Sequence, residues 1–372
     1  MDAPATVVLT DRRRAPEGRR TWRAGALFAG GLAALVLASI VLGPESNQEL
    51  PWQSALIIVL HQVSFGHLGP SPCAGLSSEV CSARIAVVWD ARIPDLILAL
   101  LAGAALGLSG GGLQGIFRNP LADPYLLGLS AGAALGASTV FTFDLDPARR
   151  AFLLPTAAFV GGLVPGTVIY LAARRGRASP QTLLLTGVAL SAFFSAILAT
   201  FLLYNPVANL SVNFWLLGGL EYASWTNDGL VATVVLVVGT LLVLRARDLN
   251  LLQLGPDVAQ SLGSDPKRLT RQVVVLATVA TSAAVAFAGI IGFVGLVAPH
   301  VVRRLVGVEY GRVLVMSGLA GGAFLVIAWD LAQTVIPSVV IPVGIPTAFF
   351  GALFFLYLLY RRGGQSLSGG PR

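Results

Sequence analysis

Long apolar stretches, separated by short polar or basic segments, make up most of this chain. A helix needs roughly 20 apolar residues to cross the hydrocarbon core of a bilayer. The pattern therefore predicts an all-α polytopic membrane protein with about ten transmembrane helices. The predicted spans are 25–43, 92–116, 124–142, 152–173, 182–203, 228–245, 271–290, 293–306, 313–335 and 342–360.

One polar interruption divides the apolar stretch 92–137. It runs from Gln114 to Pro124 and contains Arg118, Asn119 and two prolines, so its backbone cannot be regular helix throughout. Irregular backbone within a membrane is tolerated only where protein buries it or water reaches it. We therefore interpret the interruption as the mouth of a path between two spans.

A second interrupted segment, Ala288 to Gly307, again places glycines and a proline before a basic cluster. The two segments would correspond if the chain consisted of two related halves of about five spans. Paired interrupted segments in two halves indicate a transport path at their interface.

Composition and charge support the membrane assignment. The chain has 372 residues, of which 55% are hydrophobic and only 12% charged, and the mean hydropathy is +0.77. Soluble domains have roughly 25% charged residues. With the N-terminus inside, all Lys and Arg residues except Arg84, Arg92, Arg149 and Arg150 fall on the inner side. The positive-inside rule thus places both termini in the cytoplasm and explains the net charge of +7 without a nucleic-acid partner.

The predicted domain organisation follows from these spans. Residues 1–24 form a basic cytoplasmic tail, 25–362 a transmembrane domain with a cytoplasmic loop at 246–270, and 363–372 a cytoplasmic C-terminal tail. Cys73 and Cys81 share one Gly/Pro/Ser-rich outer loop. They form either a disulfide in an oxidising compartment or two free thiols without a role.

The cytoplasmic loop contains a short amphipathic helix between Pro256 and Gly263. Leu254, Val258 and Leu262 recur every four residues and so share one helical face. An exposed apolar stripe here would bind a partner protein; the alternative is a helix folded back onto the bundle.

The sequence lacks the motifs of an enzyme or a metal site. Lys267 is the only lysine and has no P-loop pattern around it, while His61 and His67 match no metal-ligand spacing. We predict no catalytic residue and no metal site. Asp330 is the one carboxylate inside a span that could couple transport to protons or cations, although a structural hydrogen-bonding role is favoured. An ATPase partner docking on the cytoplasmic face is the preferred energy source; a secondary carrier using Asp330 is the alternative.

The chain resembles the FecCD-type permeases of bacterial ABC importers for iron–siderophore complexes, haem and vitamin B12. The matching segments are RIP at 92–94, LSGGGLQGIFRNPLADPYLLGLSAGA at 108–133, LGPDVAQSLG at 254–263, GFVGLVAPHVVRRLVG at 292–307 and PVGIPTAFFGALFF at 342–355.

The resemblance implies the fold of a type II ABC importer permease in the bacterial plasma membrane, with ten spans per subunit. It implies pairing with a second copy or a sister permease, with the path along the subunit interface. Two ATPase subunits would consume ATP below the membrane, and a periplasmic or lipid-anchored binding protein would deliver the substrate. The chain itself would bind no cofactor, and an iron(III)–siderophore complex is the preferred substrate.

Site residues also follow from the resemblance. Asn119 and Leu121, with Pro180 and Gln181, would form the cytoplasmic gate. The ATPase-coupling segment would comprise Leu254, Gly255, Val258, Ala259, Ser261, Leu262 and Gly263.

Arg92 would contact the binding protein. Asp95 and Thr334 stand where arginine is common in the family, and Ile341 stands where an acidic residue is frequent. The electrostatics of docking would therefore differ from those of other family members.

Overall fold

The structure is a computed structural model that describes residues 17–42, 51–143, 145–174, 179–336 and 339–367. Most of the predicted N-terminal tail, residues 1–16, and the end of the C-terminal tail, residues 368–372, lie outside the described residues.

The described chain is helical and contains no β-strand. Its α-helices are α1 (Glu17–Leu42), α2 (Trp52–Val63), α3 (Ser78–Ile85), α4 (Ile93–Phe117), α5 (Leu129–Phe141), α6 (Pro147–Arg174), α7 (Pro180–Tyr204), α8 (Pro206–Leu216), α9 (Trp225–Leu244), α10 (Ala246–Gln253), α11 (Pro256–Ser261), α12 (Pro266–Ala288), α13 (Val294–Val306), α14 (Tyr310–Thr334) and α15 (Gly344–Leu367). A π-helical stretch, Ala86–Arg92, joins α3 to α4, and a 3₁₀ turn, Pro124–Leu127, precedes α5. Each predicted span coincides with one of these helices, which confirms the all-α fold.

Local sequence signals determine many helix starts. Five helices begin with proline, whose fixed φ suits the first turn and whose missing N–H is not needed there. Side chains of residues preceding helices accept hydrogen bonds from first-turn N–H groups. These capping residues are Ser77, Ser179, Ser224, Asp265 and Glu309.

Among the residues that the structure describes, six helices are long and apolar enough to cross a membrane. They are Ser78–Phe117, Pro147–Arg174, Pro180–Tyr204, Trp225–Leu244, Pro266–Ala288 and Tyr310–Thr334. The first is a continuous 40-residue helix made of α3, the π-helical stretch and α4. It therefore begins well before the predicted boundary at residue 92, because the residues preceding Arg92 are also helical.

Two helices are only about two thirds as long as a span. α5 and α13 have 13 residues each, or about 20 Å at 1.5 Å per residue, against a hydrocarbon core of about 30 Å. The predicted span 293–306 coincides with α13 and the predicted span 124–142 contains α5, but neither helix crosses the core on its own. The irregular segments that precede these helices, residues 118–128 and 289–293, occupy part of the bundle themselves.

Close glycine contacts hold the bundle together around α4. An added Cβ at Gly103 would collide with the backbone of Gly321 on α14, and one at Gly107 would collide with the Ser317 carbonyl. Small residues let helix backbones approach closely where packing rather than the hydrophobic effect drives association. α5 packs on α6 in the same way through Gly132. The small-residue spacing in the sequence thus marks helix-packing surfaces.

The outer loop is covalently closed. The structure joins Cys73 and Cys81 in a disulfide, with 5.2 Å between their Cα atoms, within the usual range for such a bond. Nearby, the indole N–H of Trp225 donates to the Trp89 carbonyl at 3.1 Å, and the two ring centroids lie 4.7 Å apart. The contacts between the two tryptophans join the π-helical stretch of the long helix to the start of α9.

Candidate functional site

The first interrupted segment is a hydrogen-bonded turn at the end of α4. Helix α4 continues through Gln114 to Phe117, so the interruption begins four residues later than predicted. Arg118 then adopts a left-handed conformation with φ of 47°. The Asn119 side-chain oxygen accepts the Leu121 N–H at 2.9 Å, forming an Asx turn. The two predicted gate residues Asn119 and Leu121 therefore belong to one small, ordered turn.

A second Asx turn follows directly. Asp123 Oδ1 accepts the N–H of Tyr125 at 2.8 Å, and the Asp123 carbonyl accepts the N–H of Leu126. The chain reaches α5 through Gly128, whose φ of 77° suits glycine. Most backbone polar groups of the segment are thus satisfied locally, as a site within a membrane requires.

The second interrupted segment lies against the first. Gly289 and Phe293 have φ values of 67° and 68°, which end α12 and start α13. Between them, the N–H of Ile291 donates to the hydroxyl oxygen of Tyr125 at 3.0 Å. The two interrupted segments, which the sequence analysis related to each other because their compositions are similar, are therefore in direct contact.

Gln114 links these two segments in a way that the sequence analysis missed. Pro299 lies inside α13 and has no N–H, so the carbonyl of Gly295, four residues earlier, lacks its helical donor. The Gln114 amide nitrogen donates to that carbonyl at 3.2 Å and to the carbonyl of Ala122 at 3.3 Å. Arg303 donates to the Gln114 side-chain oxygen. Gln114 is only 2% exposed, so the whole network is buried.

The other predicted gate residues begin α7. Pro180 is the first residue of this helix, and Gln181 follows it on the exposed side. About two turns further on, Gly187 lies against the Leu126 carbonyl of the 3₁₀ turn. Helix α7 therefore contacts the segment that follows the Asn119 turn. The assignment of Pro180 and Gln181 to the gate stays a prediction.

Helix α11 has the exposed apolar stripe that the sequence predicts. Leu254, Val258 and Leu262 are 64%, 43% and 53% exposed, whereas Ala259 on the opposite side is fully buried. The helix is therefore attached through Ala259 and presents its stripe outward. This arrangement differs from the alternative in which the stripe folds onto the bundle.

Local backbone features define the limits of α11. Gly255 and Gly263 flank it with φ of 115° and 85°, values that a side chain would strain. Ser261 Oγ donates to the Val258 carbonyl at 2.8 Å within the helix. The positive φ values explain the two glycines of the predicted coupling segment, and the hydrogen bond within the helix explains its serine.

Helix α10 connects the stripe to the interrupted segments. Gln253 donates from its side chain to the Gly115 carbonyl at 3.0 Å. Asn250 Oδ1 accepts the Tyr310 N–H at 2.9 Å, and Arg303 donates to the Tyr310 hydroxyl at 3.3 Å. A displacement of α10 and α11 would therefore act on the end of α4 next to the Asn119 turn. Sequence reasoning did not single out these polar contacts.

At the opposite end of the bundle lies a cavity of about 210 Å³ between α8, the loop before α9, the end of α14 and the segment before α15. Aromatic and polar side chains share its lining: Phe214, Trp215, Tyr222, Trp329, Glu221 and Gln333. This lining offers flat apolar surfaces with a few polar groups, but the volume is below the roughly 300–1,000 Å³ of typical ligand pockets.

Comparison with known proteins assigns the family. The sequence model of the FecCD transport family matches residues 31–361 of the chain. The chain belongs to the FecCD transport family. Among its relatives is the cobalamin import system permease protein BtuC of Halobacterium salinarum, 38% identical over 337 residues that cover 89% of this chain and 86% of the relative.

Two further comparisons support the assignment to the FecCD family. The hemin transport system permease protein HmuU of Yersinia pestis is 37% identical over 279 residues, covering 74% of this chain and 84% of the relative. A solved inward-facing structure of a metal-chelate type ABC transporter has a TM-score of 0.72 at 26% identity, covering 92% of this chain and 99% of that one.

In this FecCD-family chain, Arg92 and Asp330 belong to an internal cluster. Ser39 Oγ donates to Asp330 Oδ2 at 2.5 Å, and Arg92 donates to the Ser39 carbonyl at 2.7 Å. Arg92 also interacts electrostatically with Asp330 and is only 7% exposed. The cluster joins α1, α14 and the start of α4, which agrees with the favoured structural role of Asp330. An Arg92 contact with a docking protein stays a prediction, and it would require the guanidinium to leave this position.

The histidines do not assemble a metal site. Within the part of the chain that the structure describes, no three His, Cys, Asp or Glu side chains are grouped as metal ligands would be. His300 packs its ring against Phe354 with 5.8 Å between centroids.

Proposed function

We propose that this FecCD-family chain is the permease subunit of an ATP-driven importer and forms the membrane path for a metal chelate. The observation that carries the proposal is the exposed stripe on α11, whose supporting helix α10 contacts the end of α4 beside the Asn119 turn. A chain without a P-loop needs a partner to supply ATP energy. An apolar stripe on a short helix is the type of surface that fits into a partner's groove.

The partners follow from this role. ATPase subunits dock on the α11 face, and Asn119, Leu121, Pro180 and Gln181 form the gate above them. A periplasmic or lipid-anchored binding protein delivers substrate to the opposite end, and a second permease copy or a sister permease completes the path. This arrangement places both termini in the cytoplasm and the chain in the bacterial plasma membrane.

The substrate is a metal chelate, with an iron(III)–siderophore complex as our first choice and haem or vitamin B12 as the alternatives. Two comparisons support this class. Relatives are named as cobalamin and hemin permeases, and the fold is similar to that of a solved metal-chelate type ABC transporter.

The stripe provides a direct test of the coupling role. Val258→Asp would place an unpaired charge in an apolar contact, so we expect co-purification of the ATPase and ATP-dependent uptake to fall at least tenfold. Gln260→Asp adds the same charge to an exposed position outside the stripe and should retain both. Normal ATPase binding and uptake by the Val258→Asp variant would refute the coupling assignment.

A further inference from the structure

A groove at the cytoplasmic end of the bundle combines basic and apolar walls. It has a volume of about 430 Å³ and lies between the end of α6, the end of α9 and the first turns of α12. Its polar wall includes Arg245, Arg268 and Arg271, and its apolar wall includes Leu241 and Val275. No acidic side chain is among its lining residues. The groove is therefore complementary to a ligand that has both an anionic group and a hydrocarbon part.

The acidic groups nearest to these arginines leave that charge largely uncompensated. Asp248 lies 3.9 Å from Arg245, at the limit of an ion pair, and both side chains are partly exposed. The Asp265 carboxylate already accepts backbone N–H bonds at the start of α12, including that of Arg268. Exposed ion pairs of this kind contribute little. Three guanidinium groups therefore remain to bind an anion.

The apolar wall is continuous with the lipid-facing surface of α9. Leu241 and Val275 are 43% and 41% exposed. Leu236 and Val237, further along α9, are 69% and 53% exposed. Helix α9 thus presents hydrocarbon along its length and a basic cluster at its end. This is the profile of a phospholipid, whose chains would lie along α9 and whose phosphate would reach the arginines.

We propose that this groove is a binding site for an anionic phospholipid, with the phosphate held by Arg245, Arg268 and Arg271. Arginine guanidinium groups bind phosphate oxygens through parallel hydrogen bonds. Basic pockets between transmembrane helices on the cytoplasmic side are suited to anionic headgroups. Tyr170 also lines the groove, and aromatic side chains of this kind are common at the level of lipid headgroups. The site is independent of the proposed import function.

Native mass spectrometry of the full-length chain in mild detergent tests the site. Dioleoylphosphatidylglycerol or dioleoylphosphatidylcholine is titrated into delipidated protein, and the lipid-bound fraction is measured. We expect the wild type to bind phosphatidylglycerol at least tenfold better than phosphatidylcholine. The R268Q/R271Q variant should lose at least fivefold of this preference, whereas the charge-conserving R268K/R271K variant should keep most of it. Equal binding of both lipids by the wild type would overturn the proposal.

The control is R247Q/R304Q, which removes two exposed arginines outside the groove. If it lowers phosphatidylglycerol binding as much as R268Q/R271Q does, the effect reflects net charge and the site is refuted. Inorganic phosphate at millimolar concentration distinguishes a lipid from a free anion. Phosphate that displaces the lipid completely would show a simple anion site and would also overturn the proposal. If R268Q/R271Q fails to fold, the single variants R268Q and R271Q replace it. Each should lose part of the phosphatidylglycerol preference that R247Q/R304Q keeps, and a preference equal to that of the control in both would overturn the proposal.

Discussion

Replacement of Gln114 by leucine should weaken the contact between the two interrupted segments. Gln114 donates to the Gly295 carbonyl and accepts from Arg303 across the two segments, and it donates to the Ala122 carbonyl within the first segment. Leucine has a similar size but neither donates nor accepts. Gln114→Leu therefore leaves the Gly295 carbonyl without a donor, because Pro299 cannot supply one.

The expected loss can be estimated from these bonds. A neutral hydrogen bond contributes about 0.5–1.5 kcal/mol net, and one to a charged group about 1.5–3 kcal/mol. Interhelical bonds within membranes average only about 0.6 kcal/mol. Three bonds then correspond to a loss in the free energy of unfolding of about 2–4 kcal/mol. Gln253→Leu is the matched control, because Gln253 is exposed and makes one bond to another helix, to Gly115. It should cost about 1 kcal/mol or less.

Denaturant titration of the purified variants in detergent, followed by tryptophan fluorescence, measures both losses. Gln114→Glu separates the contributions, since it keeps an acceptor for Arg303 and loses the donor to Gly295. We expect its stability to lie between that of wild type and that of Gln114→Leu. If Gln114→Leu is within 0.5 kcal/mol of wild type, or no less stable than Gln253→Leu, the network does not hold the segments together and the reasoning is refuted. That threshold is about one net hydrogen bond.

Two further predictions address packing and the disulfide. Gly107→Ala should push α4 away from α14 and lower the unfolding midpoint, whereas Gly31→Ala, where an added Cβ meets nothing within 4 Å, should leave it unchanged or raise it. Maleimide should label neither Cys73 nor Cys81 before reduction; by loop-closure entropy, losing the bond should cost about 2.5 kcal/mol. Labelling of either cysteine in the unreduced protein would contradict the second prediction.

Hydropathy predicts the helices well but not how far each one extends through the membrane. The apolar stretch at 124–142 has enough hydrophobic residues for a span, yet only Leu129–Phe141 is a regular α-helix. Its first part turns through Asp123 and Gly128, because local hydrogen bonds replace those of a helix. Composition cannot distinguish buried irregular backbone from lipid-exposed helix, since both are apolar.

The candidate site, too, could be predicted from the sequence only in part. The outward exposure of Leu254, Val258 and Leu262 agrees with the prediction from their spacing. Only Val258 lies inside α11, however, because Gly255, with φ of 115°, separates Leu254 from that helix. The role of Gln114 depends on Pro299 of a distant helix, so no local pattern indicates it. A proline four residues after Gly295 in an apolar helix is nevertheless visible in the sequence. It indicates that the Gly295 carbonyl lacks its helical N–H donor and needs a donor from a side chain.

Arg92 has partners that the sequence does not indicate. The family resemblance implies a contact with the binding protein, which stays a prediction, while the structure places Arg92 7% exposed beside Ser39 and Asp330. Its neighbours come from α1 and α14, which are distant in the sequence, so no local pattern indicates these contacts.

The central claim is that this chain transports a metal chelate with energy from a partner ATPase. The most direct measurement is uptake of the radiolabelled iron(III) chelate into proteoliposomes that contain the chain and its ATPase, with ATP and the proton gradient varied independently. We predict that uptake requires ATP, persists with a protonophore, and is retained by the Asp330→Asn variant. Uptake driven by a proton gradient without ATP, and abolished by Asp330→Asn, would contradict the account.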